Sequence, residues 1–194
     1  MSNTGARPQY ANMPTTPGQY ETVVVDPPWP VQKFPRRVRP NQTPALDYPT
    51  MSVEDIRAFP IDAWASPRAY LFLWTTNGFL QTAGTILGAW GFKYHATLVW
   101  CKETGVCPWS PFQFCTEFVL FGCRDGKRFR EFPMGTLKTH FAAPVTRHSE
   151  KPSIFYEMLL PITPEPRIDL FARTRHPGWD YWGNELPPPG TTWN

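Results

Sequence analysis

The chain contains no apolar run approaching the roughly 20 residues of a membrane-spanning helix, so no segment reads as a membrane span. Neither G-x-G-x-x-G nor G-x-x-x-x-G-K-[ST] occurs, which leaves NAD-type and P-loop nucleotide sites without support. Cysteine is sparse. The four residues, at 101, 107, 115 and 123, include no C-x-x-C pair, a spacing too open for a zinc site. They read as buried free thiols in a reducing cytosol rather than as a disulfide framework. The four histidines form no H-x-x-x-H pair, so no metal site is expected. A net charge of +3 is too small to indicate a polyanionic partner by itself. Residues 1–19 are polar and rich in Pro, Thr, Asn and Gln, without the apolar core of an export signal. They are expected to form a flexible arm on a cytoplasmic protein.

What is present is aromatic and proline-rich. Nine Trp, fourteen Phe and seven Tyr supply a large core, and 24 Pro far exceed the usual frequency of about 5%. At 194 residues, one domain is expected over 20–185, followed by a Pro-rich tail over 186–194. Thr22-Val23-Val24-Val25 reads as a short buried parallel strand. It runs directly into Asp26-Pro27-Pro28-Trp29. Two prolines cannot extend a strand, because each lacks a backbone donor and has a fixed φ. A carboxylate therefore stands at the carboxyl end of a strand, where open α/β sheets bind ligands. With free carbonyls and an indole beside it, the loop suits a flat base bearing an amino group. A proline turn with a buried tryptophan reads the same four residues equally well.

Lys33, Arg36, Arg37 and Arg39 follow this loop with no acid among them. A second stretch, 124–151, carries seven Lys/Arg, Arg147 beside His148 included, against three acids. Such loops fit phosphate contacts, though solvated loop charge has the same appearance.

Ser52-Val53-Glu54-Asp55 resembles a capping box for a short helix that Pro60 ends. Residues 69–74 form a buried strand. Asn77 is placed to cap a helix with apolar residues at helical spacing through Trp90, closed by Gly91. Residues 92–100 and 116–123 read as strands, with 124–127 as a hairpin turn into a further strand at 128–132. Pro152 fits the first turn of a helix ending before Pro161, and 167–171 forms another buried strand. Alternating strands and helices imply an α/β sheet covered on both faces.

The stretch after that last strand runs Asp169-Leu170-Phe171-Ala172-Arg173-Thr174-Arg175-His176-Pro177-Gly178-Trp179, then Gly183-Asn184-Glu185. Arginine and histidine suit a carboxylate ligand; Asn and Glu suit ribose hydroxyls. A nucleoside with an amino-acid tail would satisfy both, as would a salt-bridged sheet edge with no ligand.

Taken together these segments resemble the DPPW adenine-N6 methyltransferase family, that of the catalytic subunit of eukaryotic messenger-RNA adenosine methyltransferase. The likeness is greatest to compact microbial and phage members. It spans roughly residues 20 to 185 and includes Tyr48-Pro49-Thr50-Met51-Ser52, Leu73-Trp74-Thr75-Thr76-Asn77 and Trp90-Gly91-Phe92-Lys93. It continues through Leu98-Val99-Trp100-Cys101-Lys102 and Ser149-Glu150-Lys151-Pro152. The resemblance implies a Rossmann-like, mostly parallel sheet with the catalytic motif before the cofactor motif. It implies S-adenosylmethionine as donor and adenine in nucleic acid as acceptor, DNA slightly ahead of RNA.

By the same resemblance Asp26 and the Pro27 carbonyl, with Pro28 in the motif, hold the adenine amine while Trp29 flanks the base. Asp26, Lys151, Arg173, Arg175, His176, Asn184 and Glu185 surround the cofactor. Lys33, Arg36, Arg37, Arg39, Arg147 and His148 are the expected nucleic-acid contacts. The family also contains non-catalytic binding subunits, so a homodimer or a heterodimer with a related subunit is compatible with it. An intact Asp26-Pro27-Pro28-Trp29 argues for catalysis. A cytosine amine is a third acceptor to be distinguished by product analysis.

Overall fold

In the computed structural model the described residues are 18–31, 50–103, 112, 114–145 and 150–183. Their framework is a seven-stranded sheet with strand order β5-β3-β4-β2-β1-β6-β7. β1 is Tyr20–Val25, β2 Ala65–Thr75, β3 Lys93–Lys102 and β4 Thr116–Cys123. β5 is His140–Ala143, β6 Arg167–Leu170 and β7 Asp180–Trp182. β1 pairs in parallel with both β2 and β6, β6 with β7, and β3 with β5. Only β4 runs against its neighbours β2 and β3. This is the expected mixed, mostly parallel, Rossmann-like sheet.

Side chains alternate across it with the period of two that a strand imposes. Val23, Val25, Leu71 and Leu73 join one core with Ile56, Ala83, Ile86 and Leu87. Val24, Tyr70, Phe72 and Trp74 join the other with Phe155, Tyr156 and Leu159. Helices α1 (Val53–Arg57) and α2 (Leu80–Ala89) cover the first face, and α4 (Ser153–Leu159) the second. Buried on both faces, β1 and β2 carry the continuous apolar runs that made them legible. Ser52 caps α1 as expected. Its hydroxyl accepts from the Asp55 N–H at 3.0 Å and donates to the Asp55 carboxylate at 2.7 Å.

Two local expectations are corrected. Asn77 does not cap α2: Asn77–Phe79 forms a 3-10 turn and α2 starts at Leu80 without a side-chain cap. The stretch after Cys123 is helix α3 (Gly126–Glu131), not a hairpin into a strand. Phe129 and Phe132, three residues apart, both pack on Phe121, a spacing that a helix satisfies and a strand does not. Strands β5 and β7 had no reading of their own in the sequence. The thiols also differ from expectation: Cys123 is buried, Cys101 half-buried and Cys115 exposed. No described helix is long and apolar enough to cross a membrane.

Candidate active site

Strand β1 ends at Val25, and the Asp26 backbone N–H is held by the Leu170 carbonyl at 3.2 Å. The carboxylate therefore leaves the sheet between β1 and β6, at their carboxyl ends. Pro27 is buried and its carbonyl accepts from the Trp29 N–H at 2.8 Å, while the Pro28 carbonyl accepts from Met51 at 2.9 Å. The Pro27 oxygen keeps a second lone pair; Pro28 serves the loop. The Trp29 indole does not stand free beside the cleft. It is 4% exposed, donates to the Trp74 carbonyl at 3.0 Å and stacks on Phe79. In this structure it anchors the loop, because its large apolar ring gains more from the core than from solvent.

Lys151, just ahead of α4, reaches Asp26 Oδ1 at 3.2 Å and Glu117 Oε2 at 2.8 Å, and lies 4.9 Å from the Trp74 ring centre. Glu117, at the start of β4, binds Lys102 at 2.6 Å through its other oxygen. Sequence reasoning gave Glu117 and Lys102 no role. A lone acid and a lone lysine bordering apolar strand runs were the available signal. Their meaning depends on β4 being antiparallel, which brings its first residues to the carboxyl ends of the parallel strands.

These contacts set the charges. Burial raises the pKa of Asp26 above 3.8, and the pull of Lys151 does not overcome it; Glu117 adds to the rise. Glu117 behaves oppositely: two lysines outweigh its burial and hold it at about 2. Asp26 and Glu117 likewise outweigh the burial of Lys151, whose pKa is raised, so it stays cationic.

The loop after β6 forms the opposite wall. Phe171 adopts a left-handed φ of 64°, a conformation that non-glycine residues rarely hold outside functional turns. Gly183 lies so close that a Cβ there would sit 2.5 Å from the Ala172 carbonyl. Thr174 donates to Glu150 at 2.8 Å, fastening this loop to the segment that carries Lys151.

Arg173 and His176 line the same narrow cleft as Asp26 and Lys151, together with Tyr156 and Asp169. The space enclosed among these residues is about 10 Å³, room for about one water. His176 is buried against the Tyr156 ring at 3.7 Å, and burial lowers its pKa to about 4, leaving it neutral at pH 7. Tyr156 donates to Asp169 Oδ2 at 2.8 Å. Asp169 Oδ1 is buried without a hydrogen-bond partner among the described residues, and burial pushes this carboxyl well above its ordinary range. Arg175 does not line the cleft: it is exposed, 4.6 Å from the Tyr181 ring centre.

Asn184, Glu185, Lys33, Arg36, Arg37, Arg39, Arg147 and His148 lie outside the described residues, as do the 1–17 part of the N-terminal arm and the 186–194 tail. Among the described residues no group of three or more His, Cys, Asp or Glu could hold a metal ion.

Residues 20–185 match the MT-A70 family model. The chain is 29% identical over 210 residues to the type II methyltransferase M.MunI of Mycoplasma sp., covering 95% of this chain and 86% of that protein. It is 28% identical over 186 residues to the human N(6)-adenine-specific methyltransferase METTL4, and spans 37% of that protein. It is 26% identical over 192 residues to the N6-methyladenosine RNA methyltransferase MTA1 of Pyricularia oryzae, and spans 47% of it.

Proposed function

The chain belongs to the MT-A70 family, and on that premise we propose that it transfers a methyl group to the N6 amine of adenine in nucleic acid. One observation carries the reading. A largely buried carboxylate at the end of a central strand, 13% exposed, is paired with a lysine 11% exposed, inside a cleft that Arg173 also lines. DNA is the preferred acceptor, because the type II methyltransferase is matched over most of its length and the RNA enzyme over less than half.

The donor set fits S-adenosylmethionine. Lys151 and Arg173 suit its carboxylate, Asp26 suits its ammonium, and Asp169 Oδ1, unpartnered among the described residues, is open to a polar ligand atom or a water. When bound, that cofactor supplies a methyl group activated by a sulfonium. The remaining work belongs to the chain. Adenine's amine is a poor nucleophile because its lone pair is delocalised into the ring. Asp26 and the remaining lone pair of the Pro27 carbonyl accept its two protons and favour a pyramidal nitrogen. Catalysis then consists of placement and electrostatics. Alkylation makes the amine proton acidic, so no strong base is required. An adenine in a duplex must be flipped out to reach Asp26.

The test is transfer of labelled methyl groups to mixed DNA and RNA, followed by sequencing of the product. Asp26→Ala is expected to lose at least about a hundredfold in rate, the scale for one preorganised transition-state contact. Full activity in the folded variant would overturn the mechanism.

A further inference from the structure

Four side chains form a row of alternating charge: Lys102, Glu117, Lys151 and Asp26, with separations of 2.6, 2.8 and 3.2 Å. The two cations stand over the faces of two tryptophans, Lys102 over Trp100 and Lys151 over Trp74. Those indoles meet edge to face, 6.1 Å apart. The row is not needed to join the strands, since β3 and β4 are already zipped from Lys93 to Cys101, with Trp100 opposite Glu117. Burying two acids and two lysines costs more desolvation than burying one pair. The excess buys geometry: Glu117 offers one oxygen to each lysine, so Lys102 fixes Glu117, and Glu117 holds Lys151 closer to itself than to Asp26.

We propose that Glu117, anchored by Lys102, is a positioning residue of this site, fixing where the Lys151 ammonium stands and how much of its charge reaches Asp26. The functional meaning rests on reading Asp26 as the group that holds the amine; the electrostatic relation exists without any ligand. A shared lysine leaves Asp26 a ready acceptor. A lysine closed wholly on Asp26 would occupy it, and one drawn wholly to Glu117 would leave it to take up a proton. Arg173 from the loop after β6 and Asp169 on β6 also face Asp26, with Tyr156 of α4 and His176 behind Asp169. None of these changes in the variants below.

The experiment is a carboxyl-carbon NMR titration of the full chain, with Asp26→Asn identifying the Asp26 signal. Glu117→Gln removes a like charge and releases Lys151 to Asp26. Its midpoint is expected to fall by at least about half a pH unit, a threefold change in proton affinity. Lys102→Met leaves Glu117 to draw Lys151 away, and the Asp26 midpoint is expected to rise. Glu117→Asp keeps the charge and should return the midpoint towards that of the unaltered chain. Opposite displacements in the first two variants support the proposal; general loosening would move both the same way, which overturns it, as does an unmoved midpoint in Glu117→Gln. Should Glu117→Gln not fold, Lys102→Met decides alone, a rise supporting the proposal and no rise overturning it. Calorimetry with S-adenosylmethionine is a separate arm: absence of binding by the unaltered chain would sink the proposed function and leave the titration result standing.

Discussion

Replacing Lys151 by Met removes the cation between Asp26 and Glu117 while keeping an unbranched apolar stem over Trp74. The cost can be worked from Glu117, whose side chain is 14% exposed. Its carboxyl is held at about 2 against an ordinary 4.5. At about 1.4 kcal/mol per pH unit, that separation corresponds to about 3 kcal/mol. Lys102 supplies part of it and survives the change. Asp26 limits any further loss, since a buried carboxylate without its cation takes a proton instead of staying charged. The raised Lys151 pKa expresses the same contacts from the other end and is not added to this figure.

The expected destabilisation at pH 7 is therefore about 2 to 3 kcal/mol, or a fall in Tm of about 4 to 12 °C for a domain of this size. The sign with pH follows from the depressed carboxyl. Its stabilisation is present above 4.5 and is lost as the pH falls towards 2, so the gap between the two proteins narrows through that window. Denaturant unfolding at pH 7 and pH 3, on folded samples of both, measures it. A gap equal at both values, or below about 1 kcal/mol at pH 7, refutes the electrostatic account and leaves only lost packing.

His176 is buried neutral, so the folded state resists a proton that the unfolded chain accepts below pH 6.5. Stability should fall as the pH drops from 6.5 to 4, by about 1 to 2 kcal/mol once solvent screening of the ring is allowed for. His176→Phe keeps a ring on Tyr156 and should flatten that slope in melting curves. Gly183→Ala forces a methyl against the Ala172 backbone; a loss of about 2 kcal/mol or more is expected by denaturant unfolding, with weakened S-adenosylmethionine binding by calorimetry. Trp29→Ala should cost about 3 to 5 kcal/mol as a core truncation, whereas Trp29→Phe, which keeps a ring but gives up the bond to the Trp74 carbonyl and part of the indole volume, should cost less; equal losses would mean that ring packing is not what holds the loop.

The sequence revealed what depends on local pattern. β1 and β2 are continuous apolar runs with matched registers, and Pro152 marks the start of α4. Asp26 was legible because prolines must end a strand, and Lys151 and Arg173 because their segments carry family motifs. Glu117 was not, since its value comes from a cross-strand register that no local pattern encodes. Helix α3 cannot be told from a hairpin by local pattern, because Asp-Gly turns and helix starts share residues, and only the packing of Phe129 and Phe132 on Phe121 separates them. The neutral state of His176 follows from burial against Tyr156, a contact between residues twenty positions apart in sequence.

The place of β1 in the sheet has a consequence for biogenesis. It is the first strand of the framework, yet one flank is covered by β2 and the other by β6, which begins only at Arg167. During synthesis the carboxylate-bearing loop waits, because the wall that includes Arg173 and His176 follows it by about 150 residues. A fragment ending before β6 carries Asp26, Glu117 and Lys151 but lacks the wall with Arg173 and His176, and its β1 has an open edge where β6 should pair. Methyl transfer by this chain should therefore be an all-or-none report of its completed fold.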